Sequence, residues 1–161
     1  MNELVDQLLV INKEFNLTEL GLGLKYFHAR SVRKGEPLIK PGCKNAGLYF
    51  IADGIFESYA YNSHGNIEVY WFEGKNSFIT DIDGFIQGKS CKTYIVACDD
   101  SMVGAISRKD VNDLCNRFRS WAIWRAKLLE YEYLKLFDFY RVFLHSSAEE
   151  KYEWLLKMYP D

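Results

Sequence analysis

A chain of 161 residues, 48% of them hydrophobic, is long enough to bury one sizeable core and carry an appendage. With 20 basic residues scattered among 22 acidic ones, the net charge of −2 excludes the dense basic stripe that binding to nucleic-acid phosphates requires. No apolar run reaches the roughly 18 residues of a membrane-spanning helix, and MNELVDQLLVINKEF mixes charges through its apolar positions, unlike a secretory signal, so a cytoplasmic protein is expected.

The chain opens with helical spacing at Leu4, Val5, Leu8, Leu9 and Asn12, and Thr18-x-x-Gly21 begins a second, weaker helical turn. Strand signals then take over. From Phe27 to Phe72, KGE, PG, DG and NSHGN punctuate the segments GLYFIAD, GIFESYAY and NIEVYWF, which are rich in β-branched and aromatic residues. The Asp53-Gly54 step predicts a tight hairpin, because glycine tolerates positive φ there. Short strands broken by regular turns predict a sandwich or barrel.

Residues 76–97, NSFITDIDGFIQGKSCKTYIVA, read as a short helix between two strands, followed by a cluster of basic and hydroxyl side chains. KTYIVACDDSMVGAIS predicts another hairpin, turned at Asp99-Asp100. Ser107 is placed to N-cap a helix beginning at Arg108.

From about Phe118 to Leu144 runs a long helix without Gly or Pro. Phe118, Trp121, Trp124, Leu128 and Tyr131 form one apolar stripe; Leu129, Tyr133, Leu136, Tyr140 and Phe143 form another, at the spacing of a coiled-coil seam. One face would dock on the parent barrel and the other on a second copy, although an amphipathic helix covered wholly within its own chain gives a similar pattern. Ser147-Ala-Glu-Glu150 is a capping box for a last helix expected to bury Tyr152, Leu155 and Leu156 and to end at Pro160.

The four cysteines, Cys43, Cys91, Cys98 and Cys115, include no C-x-x-C pair, so the usual zinc and iron–sulfur spacings are absent and buried, reduced thiols are expected. His28, His64 and His145 stand in separate elements, with no nucleophile elbow, H-E-x-x-H or P-loop nearby. A cupin-like metal enzyme shares the jelly-roll architecture, but no strand here pairs a histidine with a glutamate on one face. The expectation is therefore a protein that is not an enzyme and calls for no metal or cofactor.

The order of parts, together with KGEPLIKPG, GLYFIADGIFESYAYNSHG and WFEGKNSFITDIDGFIQGKSCKTYIVACDDSMVGAISRKDV, resembles the effector domain of Crp/Fnr-family transcription regulators, especially those of Bacteroidetes-type bacteria. The resemblance implies a mainly β fold: a jelly roll, or double-stranded β-helix, flanked by N-terminal helices and a long C-terminal dimerisation helix. It divides the chain into a cyclic-nucleotide-binding-like sensor at 1–117, the dimerisation helix at 118–145, and, at 146–161, the first helix of a winged-helix DNA reader whose remainder is not in this chain.

In cyclic-nucleotide binders of this fold a Gly-Glu pair starts the internal helix and an Arg-Ser or Arg-Thr pair stands on the next strand. Aligned by TYIVA, this chain has Thr80-Asp81 in the first place and Cys91-Lys92, then Thr93, in the second. The bidentate arginine is absent. Lys89 or Lys92 could attract an anion and Ser90 or Thr93 could donate a hydroxyl, with the helix amides near Phe78 to Asp81, while Asp81 and Asp83 oppose a phosphate. Losing such a pair costs a few kcal/mol, roughly a hundredfold in affinity.

The resemblance thus implies a pocket formed by Phe78, Thr80, Asp81, Ser90, Cys91, Lys92 and Thr93 for an unidentified effector other than cyclic AMP, or a vestigial pocket filled by Phe78, Phe85 and Tyr94. It also implies a homodimer through Leu129, Tyr133, Leu136, Tyr140 and Phe143, and DNA contact only through the absent domain. The alternative is a stand-alone regulatory module working through protein–protein contacts.

Overall fold

The computed structural model describes residues 2–44 and 46–158. Helices α1 (Asn2–Ile11) and α2 (Leu17–Leu24) lead into eight strands: β1 (His28–Val32), β2 (Pro37–Ile39), β3 (Leu48–Asp53), β4 (Phe56–Tyr61), β5 (Ile67–Glu73), β6 (Phe78–Ile79), β7 (Tyr94–Ala97) and β8 (Ser101–Ile106). Helices α3 (Arg108–Arg117), α4 (Arg119–His145) and α5 (Ala148–Met158) follow. The strands form two antiparallel four-stranded sheets, ordered β1-β8-β3-β6 and β2-β7-β4-β5. This is the expected jelly roll.

Two expected hairpins are crossovers. β3 and β4 flank Asp53-Gly54 but lie in different sheets, and so do β7 and β8 on either side of Asp99-Asp100. Gly54 is needed all the same: its φ is +95°, and a Cβ there would lie 2.0 Å from Ser101 Oγ. It turns a corner between sheets. A true hairpin joins β4 to β5 through residues 62–66, where the Asn62 carboxamide oxygen accepts from the amides of His64 and Asn66.

The core runs as a relay of rings from the N-terminal helices into the sheets. Phe15 meets Trp121 edge-on at 5.0 Å, Trp121 meets Trp124 at 5.3 Å, Trp124 meets Phe78 at 5.4 Å, and Phe78 meets Phe50 at 5.4 Å. Gly23 makes this possible, because a Cβ there would fall 2.1 Å from the Trp121 indole. The glycine that weakens α2 as a helix is what lets the tryptophan dock. Trp121 Nε1 donates to the Glu19 carbonyl at 2.9 Å, and buried Asn12 donates to the Ser120 carbonyl while accepting from Lys127.

Phe118 has extended dihedrals (φ −130°, ψ 120°) and breaks the helical run, ending α3 and starting α4. Along α4, Trp121, Trp124 and Leu128 of the first expected stripe are buried, while Tyr131 is 49% exposed. The capping box holds: the Ser147 hydroxyl accepts from the Glu150 amide at 3.2 Å and Glu150 accepts from the Ser147 amide at 2.7 Å. The face it starts is not buried, however. Tyr152 and Leu156 are exposed, since the contacts of α1, α2 and α3 with the C-terminal helices fall on the first turns of α4; the Leu155 side chain and Pro160 lie outside the described residues.

Candidate functional site

Between β6 and β7 the chain makes a single π-helical turn, Asp83–Gln87, closed by Gly88 at φ +68°. The Asp81 carboxylate organises this cassette. One oxygen accepts from the Gly84 amide at 2.7 Å; the other accepts from the amides of Lys92 at 3.0 Å and Thr93 at 3.1 Å. Asp81 is only 3% exposed. A buried carboxylate saturated by three amide donors is a structural clasp, and charge-assisted bonds of this kind are the stronger ones. It occupies with its own charge the donors that an incoming anion would seek.

The other expected pocket residues divide. Thr80 is half-buried and donates to the Gly47 carbonyl at 2.7 Å, and Thr93 is half-buried and accepts from the Tyr70 hydroxyl at 2.5 Å. Cys91 is buried against Gly84, where a Cβ would sit 2.8 Å from its sulfur. Ser90 and Lys92 are exposed, and Lys92 pairs with Asp83 at 2.9 Å, a contact that raises its pKa. Phe78 points into the core between Phe50 and Trp124, packing rather than lining a pocket. Phe85 is likewise buried, whereas Tyr94 stacks on Tyr59 at 4.9 Å with Tyr61 edge-on to both.

Two arginines couple the cassette to the helices. Arg108, at the start of α3, donates to the Phe85 carbonyl at 2.6 Å, and the Arg125 guanidinium of α4 lies 5.8 Å from the centre of the Phe85 ring while donating to Asn112 at 2.7 Å.

A second, charged cluster joins α4 to the sheet. Lys135 Nζ pairs with the 3%-exposed Glu73 of β5 and with Glu132 at 3.3 Å, and Trp71 Nε1 donates to the same Glu73 oxygen at 2.9 Å. The ammonium also lies 5.6 Å from the Trp71 ring, which meets Phe139 edge-on at 5.2 Å. Burial pulls the Lys135 pKa down, but Glu73 and Glu132 outweigh it and hold it above its ordinary value. Glu132 is raised, by burial first and then by Glu73. Burial likewise raises Tyr70, with Asp81 adding to the effect.

Sequence reasoning missed Tyr70, Trp71, Glu73 and Lys135 as site residues. Glu73 and Lys135 stand 62 positions apart, and only a buried-strand glutamate could have hinted at a distant partner. Of the expected dimer residues, Leu129, Tyr133, Leu136 and Tyr140 are exposed, at 38%, 66%, 53% and 55%, so this chain does not cover them itself. The Phe143 side chain lies outside the described residues.

What these parts define is a jelly roll carrying an internal helical cassette between β6 and β7 and docked on a long helix. Residues 29–118, more than half of the chain, match the family model of the cyclic nucleotide-binding domain, and the chain belongs to that family. No curated relative matches it by sequence. Among solved structures it is similar to the Thermus thermophilus catabolite activator protein, with a TM-score of 0.64 and 22% identity over 80% of this chain and 63% of that one.

It is similar too to the sensor domain of the transcriptional regulator DNR from Pseudomonas aeruginosa (TM-score 0.64, 14% identity, 82% of this chain and 86% of that one). A third likeness is to the regulatory subunit of a cAMP-independent protein kinase A from Trypanosoma cruzi bound to guanosine (TM-score 0.60, 14% identity, 78% and 48%). At these identities the likeness is one of fold. The chain spans less than two thirds of the length of the catabolite activator protein. The expected resemblance is thus borne out in domain family and fold. Among the described residues no helix is long and apolar enough to cross a membrane, and no group of three or more His, Cys, Asp and Glu is placed to hold a metal ion.

Proposed function

We propose that this chain is the effector-sensing and dimerisation part of a cytoplasmic Crp/Fnr-type transcription regulator whose effector is not cyclic AMP. The observation that carries the proposal is a cyclic-nucleotide-binding fold whose anion donors are taken by Asp81, joined to a helix with a bare apolar side. The likeness to the sensor domain of a transcriptional regulator supports the role, and on this reading DNA contact belongs to a separate domain. The protein works by binding, not by catalysis.

Cys91 and Lys92 supply no guanidinium fork, and Lys92 is already paired to Asp83. An effector without phosphate suits a cassette whose amide donors are already taken by Asp81. Its occupancy would move the cassette, and Arg108 and Arg125 would carry that movement from Phe85 to α3 and α4, about the break at Phe118. Two copies paired along α4 would then rotate relative to one another, a population shift between two arrangements.

Two measurements test this. In a thermal-shift panel of nucleosides, nucleotides and other metabolites, cyclic AMP should leave the midpoint unmoved while a phosphate-free ligand raises it; a midpoint raised by micromolar cyclic AMP would overturn the effector assignment. Leu136→Glu with Tyr140→Glu should give monomers by light scattering. An unchanged dimer would remove α4 from that role. Dimers that bind an effector but belong to a reading frame lacking a helix-turn-helix would favour the stand-alone module instead.

A further inference from the structure

Cys43 and Cys91 are the two thiols of this chain that the fold brings together. Their sulfurs lie 3.3 Å apart although 48 positions separate them in sequence. The approach is built by the main chain. Pro41 and Gly42 (φ +84°) make a turn after β2, closed by the Cys43 amide on the Lys40 carbonyl at 3.2 Å. The Gly42 amide donates to the Cys91 carbonyl at 2.8 Å, and the Cys91 amide donates to the Cys43 carbonyl at 2.9 Å. Two backbone hydrogen bonds thus hold the segments side by side. A disulfide needs sulfurs about 2.05 Å apart, a contraction of little more than an ångström that side-chain rotation can supply.

We propose that Cys43 and Cys91 form a reversible disulfide when the protein meets a hydroperoxide, so that the cassette is a thiol-based oxidant sensor. The proposal does not depend on pairing along α4 or on the identity of any effector. Cys43 is half-buried and reachable, whereas Cys91 is buried. The Cys43 sulfur, as thiolate, attacks the outer peroxide oxygen; the O–O bond breaks, the alcohol or water leaves with a proton, and Cys43 becomes a sulfenic acid. The Cys91 sulfur then bonds to the Cys43 sulfur, the S–O bond breaks, and the hydroxide departs as water with the Cys91 proton. The two thiols together lose two electrons to the peroxide.

Burial, then the hydrogen bond with Cys43, pushes the Cys91 thiol up to about 12, which argues against Cys91 as the thiol that meets the peroxide. The consequence falls on the site. Cys91 precedes the Lys92 and Thr93 amides that Asp81 clasps, and it packs on Gly84 within the internal turn, so a covalent bond there ties the β2 turn to the cassette. Transient, redox-sensing disulfides are the kind that a reducing compartment permits.

The test uses the chain with Cys98→Ser and Cys115→Ser, which leaves only this pair, alongside wild type. Hydrogen peroxide should remove both free thiols and give a Cys43–Cys91 cross-linked peptide by non-reducing mass spectrometry, with dithiothreitol restoring the thiols. Cross-linking should be faster in the folded chain than in urea by roughly tenfold or more, since the fold holds the sulfurs in place. The oxidised chain should melt higher, by something on the order of 5 °C, because the closed loop is long. Cys43→Ser and Cys91→Ser should each abolish the cross-link, with circular dichroism confirming that they fold. Persistent free thiols, Cys43 overoxidised beside a free Cys91, or cross-links formed only between chains would overturn the proposal.

Discussion

The two halves of α4 have similar compositions and opposite surroundings. In the first, Trp121, Trp124 and Leu128 are 5% exposed or less, held by Phe15, Phe78 and the glycine notch at Gly23. In the second, Tyr133, Leu134, Leu136, Tyr140 and Leu144 are all more than half exposed. Apolarity alone therefore does not decide burial on this helix; the presence of a facing element does. The Lys135 cluster marks the boundary, a buried ion pair that ties α4 to the sheets, with Phe139 packed on Trp71 a turn further on. A contiguous bare apolar strip on a folded chain is the usual mark of an interaction surface.

The sharpest way to break the comparison is to remove its buried side. Trp124→Ala should cost about 3–5 kcal/mol in urea unfolding, since the ring is fully buried between two others and its cavity cannot collapse. Trp124→Phe should cost well under half of that. The indole N–H has no hydrogen-bond partner among the described residues, so its loss forfeits packing volume but no bond. Equal losses for the two variants would mean that the nitrogen is satisfied after all.

At the boundary, Lys135→Met should cost about 3 kcal/mol, because among the described residues it leaves Glu73 charged and buried with only the Trp71 donor. Adding Glu73→Gln should recover most of the loss. The same tie predicts an alkaline limit. Lys135 has a raised pKa in the folded chain, so its contribution is fully present below its unfolded value, about pH 10.4, and disappears as pH rises through the folded one. Unfolding midpoints followed from pH 8 upward should therefore fall more steeply in wild type than in the Lys135→Met, Glu73→Gln double variant.

Local signals in the sequence were well legible. Ser107 and the Ser147–Glu150 pair cap the helices they were expected to cap, and the strands fall where β-branched and aromatic residues cluster between turns. Which sheet a strand joins was not. Gly54 announces a turn through its positive φ, but a hairpin and a corner between sheets ask the same of that residue. At the site, Asp81 and Thr93 were found by alignment, whereas the clasp itself depends on amides, which carry no side-chain signature. Phe78 was placed in the pocket because it stands beside the cassette, yet its strand turns it inward. The Glu73–Lys135 tie leaves no local mark beyond a glutamate on a strand.

The smallest expected effect sharpens the comparison most. Leu136→Ala, at a protein concentration low enough for monomers, should change stability by no more than about 0.5 kcal/mol, the ordinary range for an exposed position away from special contacts. At high concentration the same substitution should matter, because a partner that covers Leu136 stabilises only the folded chain and makes the wild-type midpoint depend on concentration. The variant and wild type should therefore coincide when dilute and separate as concentration rises. If they differ already in dilute solution, the second half of α4 is covered by its own chain, and the contrast between the two halves fails. If they coincide at every concentration, the strip is bare but Leu136 is not where a partner sits.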